Sequence, residues 1–510
     1  MLWSELEYTT AGNIGDQPSK GLAMKRAPRW YDYLTINIFW LGLTVLVQTN
    51  TGMIFPLLVE GFVGEARKGT YFGKLRLWSL MAALLVQALT GMLSDRNASR
   101  WGRRRPYILV GTLANLIFIV GLGYSAGLRD MSGYWVMFGM AVMVQIFTNA
   151  AQGAQLGLIP DLVPEDRRGR FSGVKAVLEF PLPLLLVAVA IAPQIEAGNL
   201  WGGLLIAMAV LGFTMLLTML VREQPLRHKL ERLNWIPFLR LMLMTGLFTA
   251  FILGMGAAIR ALGSIAEGLQ STAALLALMG GAGLLAMVIV VGLGVWASVR
   301  INIGQAARSN RSYTWWVINR LAFLVGATNL SSFAVYFLQE RLGLDSELAA
   351  GPGSRLILGI GLLTLITAIF GGWLVDRFGA RRLVALSGVG AALGTLVAIA
   401  DPSLVAIYIG GCIIGAAAGL FLTANWALGT KLVAEHEAGR YLGIANLAGA
   451  GAGAVGAYIG GPIADLMTSQ VPEVPGLGYV LIFAVYGVMF LISTLALKQV
   501  RDPKRLTPET

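Results

Sequence analysis

Residues 91–105 read GMLSDRNASRWGRRR, and residues 372–382 read GWLVDRFGARR. Both stretches place a glycine four residues before an Asp-Arg pair and a basic cluster soon after it, so the same short loop occurs twice in one chain. A second pair repeats as well, because LVPEDRRGRFSG at 162–173 and LVAEHEAGRYLG at 432–443 share six identical positions at an offset of 270. The chain therefore contains an internal repeat.

Apolar runs long enough to cross about 30 Å of hydrocarbon surround these loops. Their number predicts an all-α integral membrane protein with fourteen transmembrane helices. Twelve form the two six-helix halves of the repeat, and two more are inserted between the halves. The predicted boundaries are 33–55, 76–93, 107–125, 133–157, 171–192, 200–221, 236–258, 272–298, 313–338, 355–375, 382–400, 403–424, 441–464 and 478–498.

The repeat and the spans predict five segments of the chain. The first 29 residues are polar and contain no apolar run, so we expect no cleaved signal peptide. The predicted segments are a cytoplasmic tail at 1–29, an N-terminal bundle at 30–221, central loops with the inserted pair at 222–312, a C-terminal bundle at 313–498, and a second cytoplasmic tail at 499–510.

The distribution of basic residues predicts the orientation in the membrane. With a cytoplasmic N-terminus, the predicted inside segments hold 30 of the 39 Lys and Arg, as the positive-inside rule requires. We therefore expect both termini in the cytoplasm and a multi-pass protein of a prokaryotic inner membrane. The net charge of +12 is explained by attraction of these loops to anionic lipid headgroups, so membrane lipid is an expected partner and nucleic acid is not.

The composition argues against an enzyme. Hydrophobic residues make up 56% of the chain and charged residues only 13%, so most of its surroundings must be lipid. Cys412 stands alone, and His228 and His436 are the only histidines, which leaves almost no material for a metal site or a catalytic triad. We expect no catalytic residue, no metal and no cofactor, with a proton or sodium ion as the one conceivable coupling ion.

The doubled G-x-x-x-D-R loop with its following basic cluster resembles the signature loop of the major facilitator superfamily. This resemblance implies two six-helix bundles that rock about a central site and function as a monomer. It also implies that residues of the two loops gate the cytoplasmic side by pairing with carboxylates or helix C-termini when that side is closed. The residues concerned are Gly91, Asp95, Arg96, Gly102, Arg104, Arg170, Gly372, Asp376, Arg377, Gly379, Arg381 and Arg440.

Two further stretches resemble the sucrose carriers and the related glycoside-pentoside-hexuronide symporters. They are GRRRPYI at 102–108 and the pattern N-x-x-Q-G-x-x-x-x-L-x-x-D-L at 149–162. The chain departs from the plant sucrose carriers at Gln145 and Leu156, where those proteins usually have Asp and Arg. The departures weigh against sucrose itself and against proton coupling through this helix.

Amide side chains form a polar stripe on the fourth span. Gln145, Asn149 and Gln152 are four and three residues apart, so they share one helix face, which must meet a polar cavity or another helix. Amides and nearby indoles suit a neutral polyhydroxylated solute, although Trp at a span end is often an interfacial anchor, as we expect for Trp316. The predicted substrate-lining residues are Asn37, Trp40, Gln48, Gln145, Asn149, Gln152, Arg320, Asn425 and Trp426.

Two charged residues are candidates for coupling. Glu179 is the only carboxylate well inside a predicted span, and Arg320 is the only buried base. Charged groups at such depth are costly and therefore mark functional sites by default. The structural alternatives are a snorkelling Arg320 and a Glu179 that stabilises the kink expected at Pro181 and Pro183.

The sequence favours a secondary active or facilitative transporter of a small polar organic solute, a sugar or glycoside being the first choice, working by rocker-switch alternating access. Two alternatives stay open. A lipid or drug exporter would have a cavity lined mainly by apolar residues. A non-transporting scaffold or assembly factor of the same fold would have a collapsed centre, with Gln145, Asn149 and Arg320 occupied by one another.

Overall fold

The computed structural model describes residues 29–500 apart from 165–166, 224–233, 267, 304–310, 346, 431 and 433–437, and no side chain of residues 303, 438–443, 445 and 446. Within this part of the chain, every regular element is helical. Thirteen helices are long and apolar enough to cross a membrane, and one bent helix pair makes a fourteenth span. The predicted all-α membrane fold is confirmed.

The N-terminal half contains six helices joined by short connections. They alternate in direction, so we call the membrane face where α1 begins the first face and the face where α1 ends the second face. Their bounds are α1 Trp30–Val63, α2 Lys68–Asp95, α3 Arg105–Ser125, α4 Asp130–Gln155, α5 Arg168–Glu196 and α6 Leu200–Thr218.

The inserted pair and the C-terminal half supply the other eight helices. The inserted helices are α7 Ile236–Ala266 and α8 Thr272–Ile303. The C-terminal half consists of α9, which runs Arg311–Ser332 and continues as Ala334–Leu342, followed by α10 Ala350–Phe378, α11 Ala380–Ala400, α12 Leu404–Thr430, α13 Ala438–Gln470 and α14 Leu477–Ala496.

Three helices are interrupted within the membrane. Helix α1 widens into a π-helical turn at Asn50–Ile54, and α5 does so at Val187–Ile191. Helix α5 also breaks at Phe180, directly before Pro181, because proline lacks the N–H that would continue the ladder. Helix α9 bends by 56° at Phe333. Such breaks are frequent at functional positions of membrane helices.

The two halves meet along two helix pairs, α2 with α13 and α5 with α10. The first pair is in backbone contact, since a Cβ atom at Gly461 would collide with the carbonyl of Gly69, and one at Gly73 would collide with the carbonyl of Ala457. Small residues allow this approach, which dispersion then stabilises. Both contacts lie in the part of α2 that is nearest the second face.

The inserted helices do not form a third bundle. Helix α7 packs against α2 and α13, and α8 packs against α9, α13 and α14. The inserted pair therefore adjoins the seam between α2 and α13 and is otherwise attached to the C-terminal half.

Several helices extend beyond the predicted spans. Helix α2 begins at Lys68, eight residues before the predicted start, and α13 ends at Gln470, beyond the predicted 464. Lys68, Arg76 and Asp465 consequently lie within membrane helices, so the expectation that Glu179 and Arg320 are the only charged groups deep in the spans is wrong. An apolar run underestimates the length of a helix when a charged residue at the helix end is neutralised by other helices. Lys68 is such a residue, because it pairs with Glu60 and Glu340.

Candidate functional site

Arg320 on α9 anchors a polar network in the C-terminal half. Its Nη1 donates to Asn425 Oδ1 on α12 at 3.0 Å, and Asn425 Nδ2 donates to Asn319 Oδ1 at 2.9 Å. Asn319 Nδ2 then donates to Ser493 Oγ on α14 at 2.8 Å. Arg320 is 7% exposed and forms no ion pair with any described carboxylate. Three helices thus hold a guanidinium whose charge no described carboxylate neutralises.

Two indoles flank this guanidinium. The Arg320 Cζ atom lies 4.7 Å from the ring centroid of Trp426 and 5.9 Å from that of Trp316, which are cation–π distances. Trp316 is buried and donates from Nε1 to the Asn425 carbonyl at 2.9 Å, so its predicted role as an interfacial anchor is wrong. Trp426 is 38% exposed. The site therefore places a partly exposed indole beside a held hydrogen-bond donor.

The N-terminal half brings an indole and a charged pair together. The Lys175 Nζ atom on α5 lies 4.0 Å from the ring centroid of Trp40 on α1. The same atom lies 3.3 Å from Glu179 Oε2, one helical turn further along α5. Lys175 was missed in the sequence, although its i,i+4 spacing from Glu179 is a recognisable signal. Glu179 is thus one member of an ion pair and not an isolated carboxylate.

Two buried amides tie helices together by bonding to backbone. Asn37 donates to the carbonyls of Tyr33 and Phe171 at 3.0 and 3.2 Å, and Gln155 donates from α4 to the carbonyl of Ile36 at 2.7 Å. Asn37 has no exposed surface, so the structure places it as a helix tie and not among cavity-lining residues. Gln155 and Asn425 are equivalent in the repeat, and each joins the fourth helix of its half to the first.

Three other predicted amides are less constrained. Gln145 and Gln152 on α4 and Gln48 on α1 are half-buried, and no hydrogen bond joins their side chains to a described residue. Asn149 is nearly buried and donates to the carbonyl of Gln145 at 2.8 Å, within its own helix. The amide groups of the three glutamines thus have no hydrogen-bond partner among the described residues.

Arg76 is a polar residue in the central region of the molecule. The predicted second span begins at residue 76 and so placed Arg76 at a helix end, whereas the helix begins at Lys68. Its Nη2 lies 3.2 Å from the position that a Cβ of Gly453 on α13 would occupy, and Thr328 Oγ1 on α9 lies 3.9 Å from the same point. The neighbouring Asn329 donates to the Ala452 carbonyl at 3.0 Å. Arg76 Nε is buried without a described hydrogen-bond partner. A second arginine therefore stands where the halves meet.

Charged residues join the two halves at the second face. Lys68 Nζ on α2 lies 2.8 Å from Glu60 Oε1 on α1 and 2.9 Å from Glu340 Oε1 on α9. Gln339 Nε2 donates to Glu60 Oε2 at 2.8 Å, and Asp465 on α13 accepts hydrogen bonds from the start of α2. We call these five residues, Glu60, Lys68, Gln339, Glu340 and Asp465, the second-face latch. Between described residues, the ion pairs and side-chain hydrogen bonds that link the halves lie at this face.

The first signature loop is organised by Arg104 at the first face. Its guanidinium pairs with Asp95 and, through Nε at 2.9 Å, with Asp161, and its Nη1 donates to Ser94 Oγ at 2.6 Å. The same Nη1 contacts the Gly91 carbonyl at 3.4 Å. All of these partners belong to the N-terminal half. The predicted gating residues Gly91, Asp95 and Arg104 therefore form one cluster within that half in this conformation.

Gly102 and Glu223 complete this loop. Gly102 adopts a φ of 107°, and a Cβ there would collide with Glu223, so both its conformation and its space require glycine. Glu223 Oε2 accepts from the backbone N–H of Arg104 at 2.8 Å. Burial raises the pKa of the Glu223 carboxyl above its usual value, and the backbone N–H groups of Arg104 and Arg105 oppose that rise.

The second signature loop is exposed. Gly372, Asp376, Arg377, Gly379 and Arg381 all face outward, and Arg377 stacks on Trp373 at 5.5 Å from its ring centroid. Arg170 is exposed as well, Arg96 is half-buried, and the side chain of Arg440 lies outside the described residues. The gating contacts between halves that the family likeness predicts are not formed among the described residues here.

The fold defines a class: a polytopic, all-helical membrane protein of two six-helix halves with an inserted helix pair. Over 94% of this chain and 100% of the other, the structure is similar to that of a D-xylose-proton symporter, with a TM-score of 0.60 at 18% sequence identity, which shows the fold. A sequence profile of the Major Facilitator Superfamily matches residues 316–510. The C-terminal half of the chain is thus similar in sequence to the Major Facilitator Superfamily, and the whole described chain shares the fold of this symporter.

Curated relatives give shorter matches. Sucrose transport protein SUT1 of Oryza sativa subsp. japonica is 46% identical over 53 residues, which is 10% of each chain. The general alpha-glucoside permease of Schizosaccharomyces pombe is 25% identical over 198 residues, covering 35% of this chain and 34% of that protein. The matched segment thus spans about a tenth of the rice protein's length. The similarity to sugar carriers predicted from the motifs is confirmed at this level.

Proposed function

We propose that the protein is a secondary transporter that moves a sugar or glycoside across the membrane by alternating access. The observation that carries the proposal is the pair formed by Trp426 and Arg320. An exposed indole face stacks on the apolar face of a sugar ring, and a guanidinium held 4.7 Å away donates to ring hydroxyls. The half-buried amides of Gln145 and Gln152 supply further donors and acceptors.

The charged pair on α5 is the proposed coupling element. Lys175 and Glu179 are about three-quarters buried, and they lie one turn before the break at Phe180. A proton or sodium ion that competes with Lys175 for the Glu179 carboxylate would alter this pair, and the break lets the two parts of α5 move separately. Facilitative transport without such an ion is the simpler form of the same proposal.

The second-face latch supports the alternating-access mechanism. Since the halves are held together at the second face, the conformation is one in which a central solute exchanges toward the first face. With the N-terminus in the cytoplasm, as we propose from the basic loops, this is the inward-facing state. Opening to the other side requires α2 and α13 to part.

The scaffold alternative has a weaker basis. This alternative predicts a collapsed centre in which Gln145, Asn149 and Arg320 bond to one another. The described residues do not form such contacts. Arg320 bonds to Asn425, and Asn149 bonds to backbone within α4. An exporter of lipids or drugs has no specific observation in its favour.

Solute flux in proteoliposomes tests the proposal. The full chain would be reconstituted and offered labelled mono- and disaccharides, with and without proton or sodium gradients, beside protein-free liposomes and the Arg320→Gln variant. We expect saturable flux of at least one sugar that is lost in the variant, and accumulation only under the gradient of the coupling ion. Absence of protein-dependent flux for every sugar and gradient, with the protein shown to be folded by its thermal transition, would refute it.

A further inference from the structure

A polar cavity lies at the second face between the inserted helices and the seam of the two halves. Its volume is about 240 Å³, and it is bounded by α2, α7 and α13, with Met279 of α8 also contributing. The polar lining consists of Thr70, Arg260, Ser264, Asp465 and Ser469. Of these residues, Asp465 also belongs to the second-face latch.

Arg260 is the basic residue in this lining, and two further basic residues flank the lining residue Thr70 on α2. Lys74 follows Thr70 by one turn on α2, so it lies on the same helix face, and Arg67 precedes Thr70 by one turn. The Lys74 Nζ and Arg67 Cζ atoms lie 4.3 and 5.9 Å from the ring centroid of Tyr71. Arg260 lines the cavity from α7, and its Cζ atom lies 5.4 Å from the ring centroid of Tyr458 on α13. One positive charge therefore lines the cavity, and two more lie one turn from its lining residue Thr70.

Within the described residues, these positive charges have no ion-pair partner. Asp465 is the one carboxylate in the lining, and its two oxygens already accept the backbone N–H groups of Gly69 and Thr70 at 2.8 and 2.7 Å. Between described residues, no ion pair involves Arg67, Lys74 or Arg260. Clustered cations without a counter-ion attract an anion, the more strongly at a surface of low dielectric.

We infer that this cavity binds a phosphate group. Guanidinium and ammonium groups together with the Thr70 and Ser264 hydroxyls match the several oxygens of a phosphate, and the volume exceeds what a carboxylate needs. The cavity lies near the second-face ends of α2, α7 and α13, so we assign the phosphate to an anionic phospholipid or to a free phosphate compound, two sources that share this chemistry.

The site has a structural consequence for the inserted pair. Its lining includes Thr70 and Asp465, whose hydrogen bond is part of the closure between the halves, and Arg260 of α7. A bound phosphate joins the inserted helix α7 to both α2 and α13 while these are in contact. It therefore stabilises the conformation that is closed at the second face, which gives the inserted pair a regulatory role.

Lipid retention by the purified full chain tests the inference. The protein would be placed in nanodiscs of phosphatidylcholine with graded phosphatidylglycerol, and bound phosphatidylglycerol would be counted by native mass spectrometry. We expect Arg260→Gln and Lys74→Gln each to weaken binding about tenfold, because each removes a charge-assisted contact. Arg240→Gln, an exposed arginine at the other end of α7, is the matched control and should bind as the wild type does.

Competition distinguishes the two sources. If inorganic phosphate displaces phosphatidylglycerol and itself binds with the same dependence on Arg260 and Lys74, the site takes free phosphate; if only the lipid binds, it is a headgroup site. Either result supports the inference. Equal binding by Arg240→Gln, Arg260→Gln and Lys74→Gln would overturn it, and Arg260→Lys, which keeps the charge, guards against loss through misfolding. Neither readout requires sugar transport, so the inference stands or falls separately from the proposed function.

Discussion

The carboxylate of Asp465, near the end of α13, accepts the backbone N–H of Gly69 at the start of α2 at 2.8 Å. A second oxygen of the same carboxylate accepts the N–H of Thr70 at 2.7 Å. The acid thereby satisfies two of the unpaired donors at a helix N-terminus, although it belongs to the other half of the molecule. The pair is made only while the second face is closed.

Asp465→Asn should favour opening at the second face. The variant loses the charge that strengthens both hydrogen bonds, each worth ~1.5–3 kcal/mol, so the open population should rise about tenfold or more. Spin labels at the exposed Glu65 and Glu473, in a Cys412→Ser background, would report the distance between the halves by pulsed electron resonance. Asp401→Asn, an exposed acid at the same face, is the control; equal distance distributions in both variants would contradict the assignment.

Arg320→Gln should impair recognition of the solute. The change removes the guanidinium between Trp316 and Trp426 and keeps a polar side chain, so we expect KM to rise at least about tenfold. Arg320→Lys should be only partly active, because an ammonium lacks the planar fork.

Trp426→Ala should give a similar defect through loss of ring stacking. Trp78, which is also exposed but lies on α2, provides the control Trp78→Ala, and initial-rate uptake over a range of solute concentrations measures both variants. A Trp426→Ala protein with unchanged kcat/KM would argue that the solute binds elsewhere.

Glu179→Gln should uncouple transport from its driving ion. Without the carboxylate, Lys175 loses its partner 3.3 Å away and the ion loses its ligand. We expect gradient-driven accumulation to disappear while exchange of solute across the membrane continues, and the pH dependence of uptake to flatten. Glu65→Gln, at an exposed carboxylate, should leave both unchanged. A Glu179→Gln protein that still accumulates solute with the wild-type pH profile would exclude this residue from coupling.

Glu223 should make the stability of the first signature loop depend on pH. Burial raises the pKa of this acid in the folded protein above its unfolded value of 4.5. Folding therefore favours the protonated form, so its contribution to stability is fully present below 4.5 and is lost as the pH rises through the folded pKa. Relative to Glu223→Gln, which does not titrate, the wild type should lose Tm over that window in thermal unfolding scans. A difference in Tm that is constant from pH 4 to pH 8 would rule this out.

The sequence predicted the spans and the repeat because both depend on local composition. Hydropathy detects any helix that must face lipid, and the equivalence of Gln155 and Asn425 followed from the offset of 270. The structure bears out that equivalence in space, since each amide joins the first and fourth helices of its half. Arg320 was also recognisable, because a base within an apolar run is rare.

The second-face latch could not be read from the sequence. Asp465 and Gly69 are 396 positions apart, and Lys68 stands in a polar stretch that resembles a loop. Whether such charges end a helix or continue it depends on their partners, which only packing supplies. Asn37 shows a second limit of sequence-based prediction. Its position on a helix predicted a cavity-lining amide, but position alone does not tell whether an amide bonds to backbone or faces a cavity.

The inserted helices make the two seams between the halves unequal. By packing against α2 and α13, they cover one of the two seams between the halves, and neither inserted helix packs in this way against the seam between α5 and α10. For an amphiphile that would enter between the halves from the lipid, the α5–α10 seam is therefore the route that the inserted helices leave uncovered.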